Sequence, residues 1–83
     1  MTMIYTATIT IGLKEGMLDP EAIAIRHALG NLGFETDELK TEKLFSVRFP
    51  AQSQEEAEEK ARAMVERLLA NPVIHRYRIE VRR

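Results

Sequence analysis

An alternation of apolar and hydroxyl side chains opens the chain and constrains its fold more than any other feature. From Thr2 to Leu13, Met3, Tyr5, Ala7, Ile9, Ile11 and Leu13 fall on one side of an extended segment, while Thr2, Thr6, Thr8 and Thr10 fall on the other. The threonines are β-branched, so they favour extended backbone and keep the second face mildly polar, with Ile4 as its exception. A strand covered on one face is predicted.

The pattern returns twice. Leu44 to Phe49 puts Phe45, Val47 and Phe49 together, with Pro50 closing the strand. His75 to Arg82 sets Tyr77, Ile79 and Val81 against Arg76, Arg78, Glu80 and Arg82. Between Glu35 and Glu42 the pattern is weak. This stretch is read as a further strand, joined to Leu44–Phe49 by a hairpin turning near Thr41 to Lys43.

Two helices separate these strands. Asp19 is placed to accept the unpaired amides of a first turn, and Pro20 follows where its missing N–H costs nothing. Ala22, Ile25, Ala28, Leu29 and Leu32 then recur at helical spacing, with Glu21, Arg26 and Asn31 pointing away. Gly33 stands where a left-handed residue ends a helix, and Phe34 can fold back on the last turn. The second helix opens on a capping box, Ser53 to Glu56, and carries Ala57, Ala61, Met64, Val65, Leu68 and Leu69 as its stripe. Glu56 with Lys60 and Glu58 with Arg62 stand at favourable spacing, acidic residues crowd its start, and Asn71-Pro72 ends it.

The order βαββαβ predicts an α+β, ferredoxin-like sandwich, a four-stranded antiparallel sheet with two helices on one face. The opposite face would carry Ile4, the threonines, Leu44, Arg48 and Arg78. An uncovered face and open edge strands are where such a domain adds a second copy or a partner.

With 83 residues the chain is read as one domain, 1–83, with a thin core and little room for a deep cleft, so binding or assembly precedes catalysis as an expectation. A formal net charge of −1 with no basic block argues against nucleic acid. Absence of cysteine removes disulfides, a thiolate nucleophile and zinc–thiolate sites. No segment reads as a membrane span or signal peptide, so a cytoplasmic protein is expected.

No glycine-rich phosphate loop or nucleophile elbow is present. His27 and His75 lie beside no second ligand at metal spacing, and Asp19 is explained as a cap before it is explained as a base. Phe45 and Phe49 invite comparison with the aromatic strand of an RNA-recognition fold, but that motif's glycines and basic charge are missing. Neither catalytic residues nor a resident metal or cofactor are expected in this chain.

Three pieces taken together carry a resemblance: Leu13 to Pro20, Ile25–Leu29 continuing to Leu32-Gly33-Phe34, and the tail Leu68-Leu69-Ala70-Asn71-Pro72-Val73-Ile74-His75-Arg76-Tyr77-Arg78-Ile79. They resemble the PurS family, the small subunit of phosphoribosylformylglycinamidine (FGAM) synthase. One departure is clear. After Asp19-Pro20 the family pattern has glutamine-glycine where this chain has Glu21-Ala22, which favours the helix but removes an amide and a close-approach position from any partner contact.

The resemblance implies a non-catalytic subunit of a purine-biosynthesis C–N ligase, bridging a glutaminase (PurQ-type) and a synthetase (PurL-type) subunit and supporting ammonia transfer. ATP, magnesium and glutamine would be used by those partners, and the chain itself would form a homodimer or larger homo-oligomer. Lys14, Asp19, His27, Asn71 and Arg78 are the expected partner contacts, since their types are recognisable and the fold does not obviously use all of them. A stand-alone βαββαβ regulatory module binding a small ligand is the competing expectation.

Overall fold

The structure is a computed structural model that describes residues 2–83. Its elements are β1 (Met3–Leu13), α1 (Pro20–Asn31), β2 (Glu42–Ala51), α2 (Gln54–Met64) running into a π-helical turn (Val65–Leu69), and β3 (His75–Arg82). The strands form one antiparallel sheet in the order β2-β1-β3. Register sets Ile9 opposite both Phe45 and Ile79, and Ala7 opposite both Val47 and Val81, so the apolar rows of three strands merge into one face. α2 lies on that face through Ala57 and Ala61, and the π turn that continues it through Val65, all fully buried. Two alanines at the contact let the helix approach the sheet closely, over a core of Tyr5, Ala7, Ile9, Ile11 and Phe49.

α2 begins as its sequence requires. The Glu56 N–H donates to the Ser53 hydroxyl at 3.1 Å, while the Glu56 carboxylate turns to Lys60 at 3.1 Å instead of completing the box. Glu58 accepts from Gln54 rather than pairing with Arg62. Ser53→Ala is therefore expected to lower stability by about 1 kcal/mol, measured as a shift in the urea midpoint at unchanged slope.

Three expectations need correction. The fourth strand is absent among the described residues: Glu35 to Thr41 forms no strand, and β2 is an edge. Leu39 is the only apolar side chain from Glu35 to Thr41, too little to extend a covered face, and Thr36 accepts from the Arg26 guanidinium of α1 instead. Pro50 lies inside β2, opposite Ile4, and does not close it; an edge strand tolerates the missing donor. Leu68 leaves the helix stripe and is 84% exposed, because the wider π turn, closed by the Ala70 N–H donating to the Val65 carbonyl at 2.9 Å, breaks the 3.6-residue period after Val65.

The largest departure concerns α1, which does not lie on the sheet. Of its twelve residues only Ala22 is buried, and none belongs to the central core. The radius of gyration is 16.6 Å, against about 12 Å for a compact chain of this length. β1 and β2 are antiparallel and their last rung is Gly12 opposite Glu42, so everything from Lys14 to Thr41 leaves from one end of the sheet as an arm. The arm's helix is well formed. Gly33 is left-handed at φ +94°, its N–H donates to the Gly30 carbonyl at 3.0 Å, and the Phe34 N–H donates to the Leu29 carbonyl at 2.9 Å. Ile23 and Ile25, two positions and about 200° of helical rotation apart, are both exposed, so the apolar side chains of α1 are not confined to one stripe. A single sheet face cannot cover both.

Candidate functional site: the neck of the arm

The arm meets the sheet at a neck built from turn chemistry. The Met17 N–H donates to the Lys14 carbonyl at 3.2 Å, closing a turn in which Gly16 takes φ +83°. The Lys14 N–H donates to the Ile74 carbonyl at 2.8 Å, tying the end of β1 to the lead-in of β3.

Asp19 joins the two ends of the arm. Its Oδ1 accepts the Ala22 N–H at 3.0 Å as the cap of α1, and its Oδ2 accepts the Thr41 hydroxyl at 2.7 Å, on the residue before β2. The Ala22 amide foremost, and then the Thr41 hydroxyl, hold its carboxyl below the ordinary carboxylate value. A folded-state pKa below the unfolded one stabilises the native state above the ordinary range, and that stabilisation is lost as the pH falls through the lower folded value. Acidification is thus expected to loosen the first turn of α1, read as faster exchange of the Ala22 amide. In Asp19→Asn the cap oxygen remains but the titration does not, so the helix should start normally and the acid sensitivity should disappear.

On the far side of the neck Asn71 organises its own loop. Its carbonyl accepts the N–H of His75 at 2.8 Å and of Ile74 at 3.1 Å, its side-chain oxygen accepts the Val73 N–H at 3.0 Å, and its own N–H donates to His75 Nδ1 at 2.9 Å. Nδ1 is an acceptor there, so in the neutral ring the proton sits on Nε2. A groove of about 470 Å³ runs between these pieces, with Glu21, Thr41, Glu42, Phe45, Leu69 and His75 in its walls.

Of the five expected contact residues, the structure brings Lys14, Asp19 and Asn71 to this end of the sheet. His27 lies out on α1, and Arg78 stands on the open face opposite Thr10. The five therefore occupy three surfaces. Thr41 and His75 are partners of Asp19 and Asn71 that sequence reasoning misses; the only signal of Thr41 is that it precedes a strand, and that of His75 that it follows the Asn71-Pro72 turn, neither of which periodicity registers. Tyr77 donates to Glu66 at 3.1 Å, and burial followed by the Glu66 carboxylate pushes its hydroxyl pKa up. Apart from the Tyr5 phenol, no polar side chain among the described residues is buried, and none of their His, Asp and Glu side chains form a group of three able to hold a metal. The neck can bind and orient. It presents no assembled acid, base and nucleophile.

Comparison with known proteins agrees with the sequence. A family model described as "PurS: Phosphoribosylformylglycinamidine (FGAM) synthase" matches residues 6–83. The chain is similar to the phosphoribosylformylglycinamidine synthase subunit PurS of Archaeoglobus fulgidus, at 47% identity over 88% of this chain and 92% of the relative. It is also similar to that of Methanocaldococcus jannaschii, at 42% identity over 94% and 95%. A crystal structure of the M. jannaschii protein, described as one of the subunits of formylglycinamide ribonucleotide amidotransferase in the purine biosynthetic pathway, superposes with a TM-score of 0.84 at 41% identity, covering 95% of this chain and 96% of that one.

Proposed function

The chain belongs to the PurS family, and from that premise we propose that it is the non-catalytic small subunit of FGAM synthase, holding a glutaminase and an ATP-using synthetase subunit together so that ammonia passes between them. Kinship over nearly the full length of relatives named as subunits carries the reading. The chain's own residues agree with it. A glutaminase of the expected class needs a thiolate, and this chain has no cysteine. ATP chemistry needs phosphate and magnesium ligands, which its sequence does not present. ATP, magnesium and glutamine belong to the partner subunits in this reading.

Lys14, Asp19 and Asn71 at the neck, His27 on the arm and Arg78 on the open sheet face are the proposed partner contacts. Their spread over three surfaces supports a piece with more than one neighbour, including a second copy of itself. The regulatory-module alternative is not favoured by the kinship. Co-purification with a synthetase and a glutaminase in the presence of glutamine and nucleotide tests the reading. Retention of all three in one peak is expected, and a chain that elutes alone under every condition would refute it.

A further inference from the structure

Among the described residues no element packs on the side of the sheet turned away from α2. Alternate residues of the three strands come together there. Register flanks Thr6 with Arg48 and Arg82, Thr8 with Ser46 and Glu80, and Thr10 with Leu44 and Arg78. The flanking side chains are exposed, and the threonines lie half-buried between them. At the Gly12 rung the side chains of Glu42 and Arg76 fold inward over bare backbone. A Cβ on Gly12 would come within 3.0 Å of Glu42 Oε2 and 3.6 Å of Arg76 Nε, so one carboxylate and one guanidinium offset each other at that end. Beyond it Arg48, Arg78 and Arg82 stand around a single carboxylate, Glu80. None of the three makes an ion pair, the pairs among the described residues falling instead to Lys40 and Lys60.

We propose that this open face is the seat of an acidic protein surface, carried by one of the other subunits of the assembly, whose carboxylates reach Arg48 and Arg82 across Thr6 and Arg78 beside Thr10. The inference deepens the proposed function and rests on it. Charge is the first argument. The face holds four arginines against two glutamates, net +2, while the rest of the chain holds eight cationic against eleven acidic side chains, net −3. Residue type is the second. All four cations are arginine, whose planar fork takes a carboxylate by two hydrogen bonds where lysine offers a point charge. The hydroxyls of Thr6, Thr8 and Thr10 add donors down the centre line.

Other occupants fit less well. Two copies stacked on this face would bring together twice as many arginines as glutamates and leave cations uncompensated. A nucleic-acid backbone would meet Glu80 between Arg78 and Arg82, and apolar Ile4 and Pro50 at one end of the face. A metabolite finds no depth. The recess lined by Thr10, Glu42, Arg76, Tyr77 and Arg78 holds about 140 Å³, against roughly 300–1,000 Å³ for a small-molecule site.

Arg48→Glu combined with Arg82→Glu reverses the charge on both sides of Thr6, at exposed positions where the isolated fold loses little. Arg62→Glu with Arg67→Glu makes the same change in net charge on the helical side of the sheet. Binding of each chain to immobilised synthetase and to immobilised glutaminase is measured by interferometry at low salt and at about 0.5 M salt. The face variant should bind one of the two subunits at least about tenfold more weakly than the natural chain, with the difference shrinking at high salt. The helix-side variant should stay within about twofold of the natural chain. Arg48→Lys with Arg82→Lys keeps the charge but not the fork, and should fall between the natural chain and the reversal. If the face variant fails to fold by circular dichroism, Arg48→Gln with Arg82→Gln replaces it. Equal binding by the natural chain and the face variant, or equal weakening by both reversals, would overturn the acidic seat while leaving the bridging role standing. So would loss of poly-uridine RNA binding as the only effect of the face reversal. A natural chain that binds neither subunit would overturn both.

Discussion

Ile9→Ala is expected to lower the stability of the chain by about 2–5 kcal/mol, against a total of roughly 4–12 kcal/mol for a domain of this length. Ile9 has no exposed surface, sits at the centre of the middle strand, and is flanked in register by Phe45 and Ile79, so no neighbour can collapse into the space its truncation leaves. Thermal melts should show a midpoint lower by more than about 10 °C. Ile4→Ala on the same strand is the control. That side chain is half-exposed on the open face, and its loss should cost less than about 1 kcal/mol.

The second large effect belongs to the assembled synthase. Omitting this chain from a mixture of synthetase and glutaminase is expected to cut glutamine-dependent FGAM formation by at least about tenfold, and to leave synthesis from added ammonium salt nearly unchanged. The asymmetry follows from what the chain lacks and what ammonia requires. Ammonia is mostly protonated in neutral water and only the neutral form attacks, so transfer depends on two sites being held together with solvent excluded. A subunit that supplies position affects delivery and spares the ATP-dependent step. Equal loss of both activities would instead mean that the chain shapes the synthetase site itself.

Local structure was legible wherever side-chain type alone decides it. Asp19-Pro20, Gly33 and Ser53 fixed three helix termini through bonds now seen at 3.0 to 3.1 Å, and the alternation in β1 and β3 predicted which residues meet α2. The misreadings share a physical cause. A hairpin before Leu44 implies a fourth strand, yet Glu35 to Thr41 has one apolar residue to place. The stripe of Ala22, Ile25, Ala28, Leu29 and Leu32 predicts that α1 lies on the sheet, but Ile23 on its other side is exposed just as Ile25 and Leu32 of the stripe are. Periodicity reports that a helix face is apolar. It does not report which molecule covers that face. The same limit applies at the neck, where Thr41 and His75 act through single hydrogen bonds to Asp19 and Asn71 that leave no repeating trace.

The claim that this subunit works by placement alone is tested most directly on the purified chain, incubated first with glutamine and then with ATP and magnesium while glutamate and ADP are followed. Neither product should rise above the buffer rate at any chain concentration. Release of either in proportion to the amount of chain, surviving repurification, would contradict a role confined to holding other subunits in place.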